Sequence, residues 1–135
     1  MTWLTSAFFA LFSFGLWGFF SKFSVMHLDA KSALVYQTLG VLLTGLLMLC
    51  FMKFKPAVDT KGISFALLTG VAYGIGCFFY LMAASKGKLI TVVTLTALYP
   101  LITMLLAYWL LKESITFKQC IGIILAISAI VLLSS

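Results

Sequence analysis

Residues 62–111 read GISFALLTGVAYGIGCFFYLMAASKGKLITVVTLTALYPLITMLLAYWLL, two uncharged runs of 24 and 23 residues divided by Lys86-Gly87-Lys88. A helix needs about 20 apolar residues to cross about 30 Å of hydrocarbon. Membrane β-strands need alternating segments of about ten residues, not unbroken apolar runs of twice that length. An open strand edge finds no partner in lipid, so these runs are read as membrane helices.

The same punctuation holds outward from this stretch. The nine lysines, two aspartates and one glutamate fall into four clusters. These are Lys22, Asp29 and Lys31; Lys53, Lys55, Asp59 and Lys61; Lys86 and Lys88; and Lys112, Glu113 and Lys118. They leave five uncharged runs, 1–21, 32–52, 62–85, 89–111 and 119–135, the last of which Phe117 extends. The expected fold is all-α, a polytopic transmembrane bundle of five helices spanning about 3–21, 32–52, 62–85, 89–111 and 117–134 within a single transmembrane domain, 1–135. The first run has no Lys or Arg ahead of it and is read as a retained span, not a leader, with Trp3 at the interface. Short loops make consecutive helices antiparallel neighbours.

Composition agrees. Of the 135 residues, 64% are hydrophobic and 9% charged, and the mean hydropathy is +1.21; soluble domains carry about 25% charged residues. The net charge of +6 forms no basic stripe, so no nucleic-acid partner is expected. Three cysteines, odd in number and set in apolar runs, indicate no disulfide scaffold. His27 lies in a loop without a nucleophile or ligand cluster, so neither enzyme, metal nor cofactor is expected. Five lysines on one side against four on the other favour an N-terminus inside the cell membrane, by a margin small enough to permit insertion either way.

Helix faces supply the candidate residues. Ala66, Gly70 and Gly74 recur every four residues, a close-packing stripe; Gly122, Ala126 and Ala129 form another in the fifth span. Tyr73, Cys77, Tyr80 and Ala84 share a line on the third span, where the tyrosines either line a polar cavity or bond to neighbouring helices. Pro100 lies inside the fourth run, where its missing N–H and its ring predict a kink. Thr96, Tyr99 and Thr103 share the kinked face, which reads either as a hydroxyl-patched bend or as a hinge beside a substrate surface. Gln37 is the most polar side chain within a span, and Trp17 lies on a serine-lined face of the first. Lys22 and Lys86, at span ends, are expected to reach headgroups. No ionisable residue lies deep in a span to carry protons or hold a charged substrate.

The stretch 95–133, with Tyr99-Pro100, Glu113, Gln119 and Gly122, resembles the closing two helices of an EamA domain, the repeat unit of the drug/metabolite transporter superfamily. Trp17-Gly18 followed by Lys22 fits the opening helix of that unit. The resemblance implies transport of a small molecule, with two inverted units framing the pathway near the membrane midplane. Only one unit is present here, so the expected partners are the lipid bilayer and a second copy in antiparallel arrangement, or another half-length chain. Alternating access with a hinge at Pro100 is the implied mechanism, with Trp17, Gln37, Tyr73, Tyr80, Thr96, Tyr99 and Thr103 as the cavity candidates. Two other classes remain: a lipid-carrier flippase or its accessory subunit, marked by a lateral opening between helices, and a non-transporting structural subunit, marked by Tyr73, Tyr80 and Thr96 all being bonded to neighbours.

Overall fold

The computed structural model describes residues 2–134, and all regular structure among them is helical. The chain divides into two compact units at the Lys86–Gly87 boundary. The first holds α1 (Trp3–His27), α2 (Ala30–Phe51) and α3 (Thr60–Lys86); the second holds α4 (Leu89–Thr96), α5 (Tyr99–Leu110) and α6 (Phe117–Ser134). Four stretches are long and apolar enough to cross a membrane: α1, α2, α3 and the α4–α5 run Leu89–Leu110. The last helix is shorter, 18 residues, which is about 27 Å at 1.5 Å per residue.

Helix α1 runs past its uncharged stretch as far as His27. Nothing between Ser21 and His27 breaks a helix, and Lys22 has an inward partner: its ammonium donates to the Ala84 carbonyl of α3, 2.6 Å away. Ala84 is in the last turn of α3, where carbonyls lack intrahelical donors and the helix dipole is negative. A cation there stabilises both. The expected reach of Lys22 toward the headgroups is therefore replaced by an interhelical cap. Around this contact α3 packs on both α1 and α2. The buried residues Gly18, Ser21, Ala33, Cys77, Tyr80, Leu81 and Ala84 all lie toward that end of the three helices. Most are small, which lets backbones approach without a hydrophobic drive between rods already in lipid. Large side chains such as Phe8, Phe12, Leu42 and Leu68 face outward.

Helix ends are set by local chemistry. The two-residue turn Leu28–Asp29 joins α1 to α2, and the Asp29 carboxylate accepts from the N–H groups of Lys31 and Ser32. The Ser32 side chain and N–H hold the Asp29 carboxyl below its ordinary value. That cap is in force above the ordinary carboxylate range and is lost as pH falls through the lowered value. Asp59 serves α3 in the same way, accepting from Gly62 N–H at 2.7 Å. At α6, Thr116 and Gln119 form a reciprocal capping box: the Gln119 side chain accepts from Thr116 N–H at 2.8 Å, and Thr116 Oγ1 accepts from Gln119 N–H at 3.4 Å. Three non-glycine residues take left-handed conformations after helices, Lys53 (φ 53°), Phe54 (φ 57°) and Lys112 (φ 55°), whereas none of the described glycines does. Each such residue is strained by roughly 1–2 kcal/mol.

The fourth rod is broken, not merely bent. Ala97 N–H still bonds to Val93, but Leu98 N–H reaches only to Leu95 and Leu101 N–H only to Leu98, so the chain tightens over 97–98. Pro100 follows in the first turn of α5, where an N–H would have no acceptor within that helix. Helix α4 packs against α6.

Replacing Lys22 with Met is expected to lower the stability of the detergent-solubilised protein by about 2 kcal/mol, the usual worth of a hydrogen bond to a charged group. Lys22→Arg is expected to retain more than half of that. Equal melting curves for wild type and K22M would show that the interhelical cap contributes nothing. Lys112→Gly is expected to raise stability by about 1 kcal/mol by relieving the left-handed strain, read in the same thermal melts.

Candidate functional site

Helix α3 carries the polar line. Tyr73, Cys77, Tyr80 and Ala84 lie at i, i+4, i+7 and i+11, a ladder of about 16 Å along one face. Each rung meets a neighbour. Gln37 of α2 donates its amide to the Tyr73 hydroxyl at 3.3 Å and to the Cys77 sulfur at 3.5 Å. The Tyr80 hydroxyl donates to the Gly18 carbonyl of α1 at 3.4 Å. Lys22 closes the line on Ala84. The indole of Trp17 packs on the Tyr80 ring, with centroids 4.6 Å apart and planes tilted by 36°. Its Nε1–H is buried and, among the described residues, is the side-chain polar atom left without a partner.

Four of the seven cavity candidates, Trp17, Gln37, Tyr73 and Tyr80, are thus brought together in pairs within the first unit. The other three lie in the second unit. Thr96 Oγ1 donates to the Val92 carbonyl at 2.8 Å and Thr103 Oγ1 to the Tyr99 carbonyl at 3.5 Å, each turning back on its own helix. Tyr99 is 64% exposed. A Cβ built on Gly70, Gly74 or Gly122 meets no atom within 4 Å, so no neighbouring helix of its own unit presses closely on any of these glycines.

Two participants carry weak or no signal in the sequence. Cys77 lies on the stripe between the tyrosines, and its spacing marks it as a rung, but a thiol in an apolar run reads first as filler. The Gly18 carbonyl carries no side-chain signal at all. Chemically, the ladder offers an amide, two phenols, a thiol and an indole N–H, none of them charged at neutral pH, with one ammonium at the end. It suits hydrogen bonding in a low-dielectric medium rather than acid–base work. Among the described residues no cluster of His, Cys, Asp and Glu is able to hold a metal ion.

Removing the amide in Gln37→Leu is expected to cost about 1 kcal/mol in detergent, within the range of interhelical hydrogen bonds in membranes. A double-mutant cycle of Gln37→Leu with Tyr73→Phe is expected to show a coupling of roughly 0.6 kcal/mol. Strict additivity in that cycle would mean that the two side chains do not interact.

Comparison with known proteins agrees with this architecture. The EamA-like transporter family matches the chain over residues 1–135. Uncharacterized protein MJ1333.1 of Methanocaldococcus jannaschii is 33% identical over 123 residues, covering 90% of this chain and 88% of that protein. No solved structure matches significantly. With the full-length family match and spanning helices of the expected kind, the chain is a multi-pass membrane protein that belongs to the EamA-like transporter family.

Proposed function

We propose that the chain is a half-size transporter subunit of the drug/metabolite type. It moves a small metabolite or amphipathic solute across the cell membrane by alternating access, paired with an oppositely inserted second copy or with another half-length chain. One observation carries this reading: the family match spans residues 1–135, and those residues hold a single unit. Transporters built from inverted repeats form their pathway where the repeats meet, near the midplane, so one unit supplies half of it. With α6 as a fifth crossing, residues 2 and 134 fall on opposite sides of the membrane. The lysine balance of five against four sets only a weak orientation preference, compatible with both insertions. The open glycine stripe on α3 leaves a face that a helix from another chain can approach closely.

The break at Ala97–Leu98 supports rocking of α5 against α4, with Pro100 keeping the two helices from fusing. Trp17, with its unpartnered N–H, and the exposed Tyr99 are the candidates best suited to meet a solute.

A second reading, a structural subunit without transport, is favoured in part by a different observation. The hydroxyls of Tyr73 and Tyr80 are bonded to neighbouring helices, whereas Thr96 turns back on its own.

C-terminal fusions separate the possibilities. Under the transporter reading, a fluorescent reporter active in the cytoplasm and a phosphatase active outside it both give signal, and oppositely oriented copies co-purify. A signal from one side alone, with no opposite partner, overturns the antiparallel pair. Alternating access is read from Thr103→Cys, labelled in sealed vesicles by a membrane-impermeant maleimide added on either side. Restoring the helix with Pro100→Ala is expected to slow that labelling roughly tenfold, a barrier rise of about 1.4 kcal/mol, without lowering the melting temperature. Unchanged labelling rates would remove the hinge, and no labelling from either side would favour the structural subunit.

A further inference from the structure

Within the second unit, α5 and α6 border an apolar cleft of about 400 Å³. Leu101, Met104 and Ala107 line it from α5, and Gly122, Ala126 and Ile130 from α6. It follows α6 from Gln119 to Ile130, about 16 Å of helix. The Gly122 side of the floor is open, since a Cβ there meets nothing within 4 Å. At its Gln119 end, where α6 begins, the cleft is lined by Glu113 and Ser114 of the α5–α6 loop. A second hollow of about 440 Å³ shares Tyr108, Glu113 and Ser114 with the first and adds Trp109 and Lys112.

The two hollows adjoin at Tyr108, Glu113 and Ser114. An apolar slot runs along a membrane helix and ends, at headgroup depth, in a mouth with one cation, one anion and two aromatic residues of the interfacial kind. In hydrocarbon such a slot is filled by an alkyl chain, because water has no polar partners there. The mouth selects the head. An anionic head meets Lys112 but is repelled by the adjacent Glu113, and a cationic amphiphile meets the reverse. A head carrying both a phosphate and an ammonium satisfies both residues.

We propose that the α5–α6 cleft is a binding groove for a zwitterionic phospholipid, with one acyl chain along Gly122 and Ala126, the phosphate on Lys112 and the ammonium on Glu113. The inference is independent of transport, since it concerns a lipid seated on one unit.

Native mass spectrometry of the full chain, delipidated in detergent and titrated with dioleoyl phosphatidylethanolamine or dioleoyl phosphatidylglycerol, tests it. The expected result is retention of the zwitterionic lipid about tenfold above the anionic one, the equivalent of one charge-assisted contact. Gly122→Leu, whose Cβ meets no atom within 4 Å and whose side chain is directed into the cleft's volume, is expected to abolish that preference while leaving the helical circular dichroism and melting temperature intact. Lys112→Gly removes the ammonium while keeping, and relaxing, the backbone. It is therefore expected to lose retention of the zwitterionic lipid although the fold becomes more stable, which a purely structural role for Lys112 does not produce. Glu113→Gln is expected to erase the discrimination against the anionic lipid. Equal retention of both lipids by wild type and G122L means only annular lipid and overturns the proposal. So does a G122L protein that keeps its lipid but changes oligomeric state, since the groove would then belong to a second copy.

Discussion

A peptide group in hydrocarbon has no water to bond with, and each unmade backbone bond there costs several kcal/mol. This constraint shapes the whole chain. It forces the apolar runs into helices, keeps the charges at the turns and the helix ends beside them, and moves the difficulty to those ends, where four N–H groups and four carbonyls each lack an intrahelical partner. The structure answers with different local solutions: aspartate caps before α2 and α3, a Thr–Gln capping box before α6, left-handed residues after α2 and α5, and a lysine from α1 serving the carbonyls of α3. Where the fourth rod breaks within its apolar run, tightened backbone bonds and threonine hydroxyls turned back on their own helices limit the loss.

The distribution of glycine follows from the same medium. In water-soluble folds glycine is valued where the chain must turn left-handed. Here the described glycines avoid that region, and two lysines and a phenylalanine occupy it instead. Glycine lies within the rods, buried against a neighbour at Gly18 and open at Gly70, Gly74 and Gly122. In lipid, close approach of backbones is one of the few sources of helix association, so a side chain of no volume has its use along the helix rather than at its end.

The helical class and the number of rods were legible because they rest on charge spacing, which the bilayer enforces almost without exception. The Tyr73–Cys77–Tyr80–Ala84 line was legible from helical period. Its partners were not, because register between helices is decided by packing. Nothing in the sequence tells Gln37 to meet Tyr73 rather than face another helix, and a main-chain acceptor such as the Gly18 carbonyl is invisible to any residue pattern. Lys22 misleads for a similar reason. A lysine at the end of an apolar run ordinarily extends to the headgroups, and only the position of the last turn of α3 draws it inward. The proline announced a disruption but not its form: the discontinuity falls at Ala97–Leu98, ahead of Pro100, since the ring is well accommodated in a first turn. The capping box was present in the sequence as Thr116-x-x-Gln119, but a polar pair flanking Lys118 looks equally like an ordinary solvated turn until the helix start is fixed.

The depth of that discontinuity has a geometric corollary. Helix α4 has 8 residues and α5 has 12, about 12 Å and 18 Å of rise, so in a slab of about 30 Å the interruption is off-centre by roughly 3 Å. The interruption places two helix termini of opposite polarity, the carboxyl end of α4 and the amino end of α5, close to mid-depth in a stretch otherwise without fixed charge.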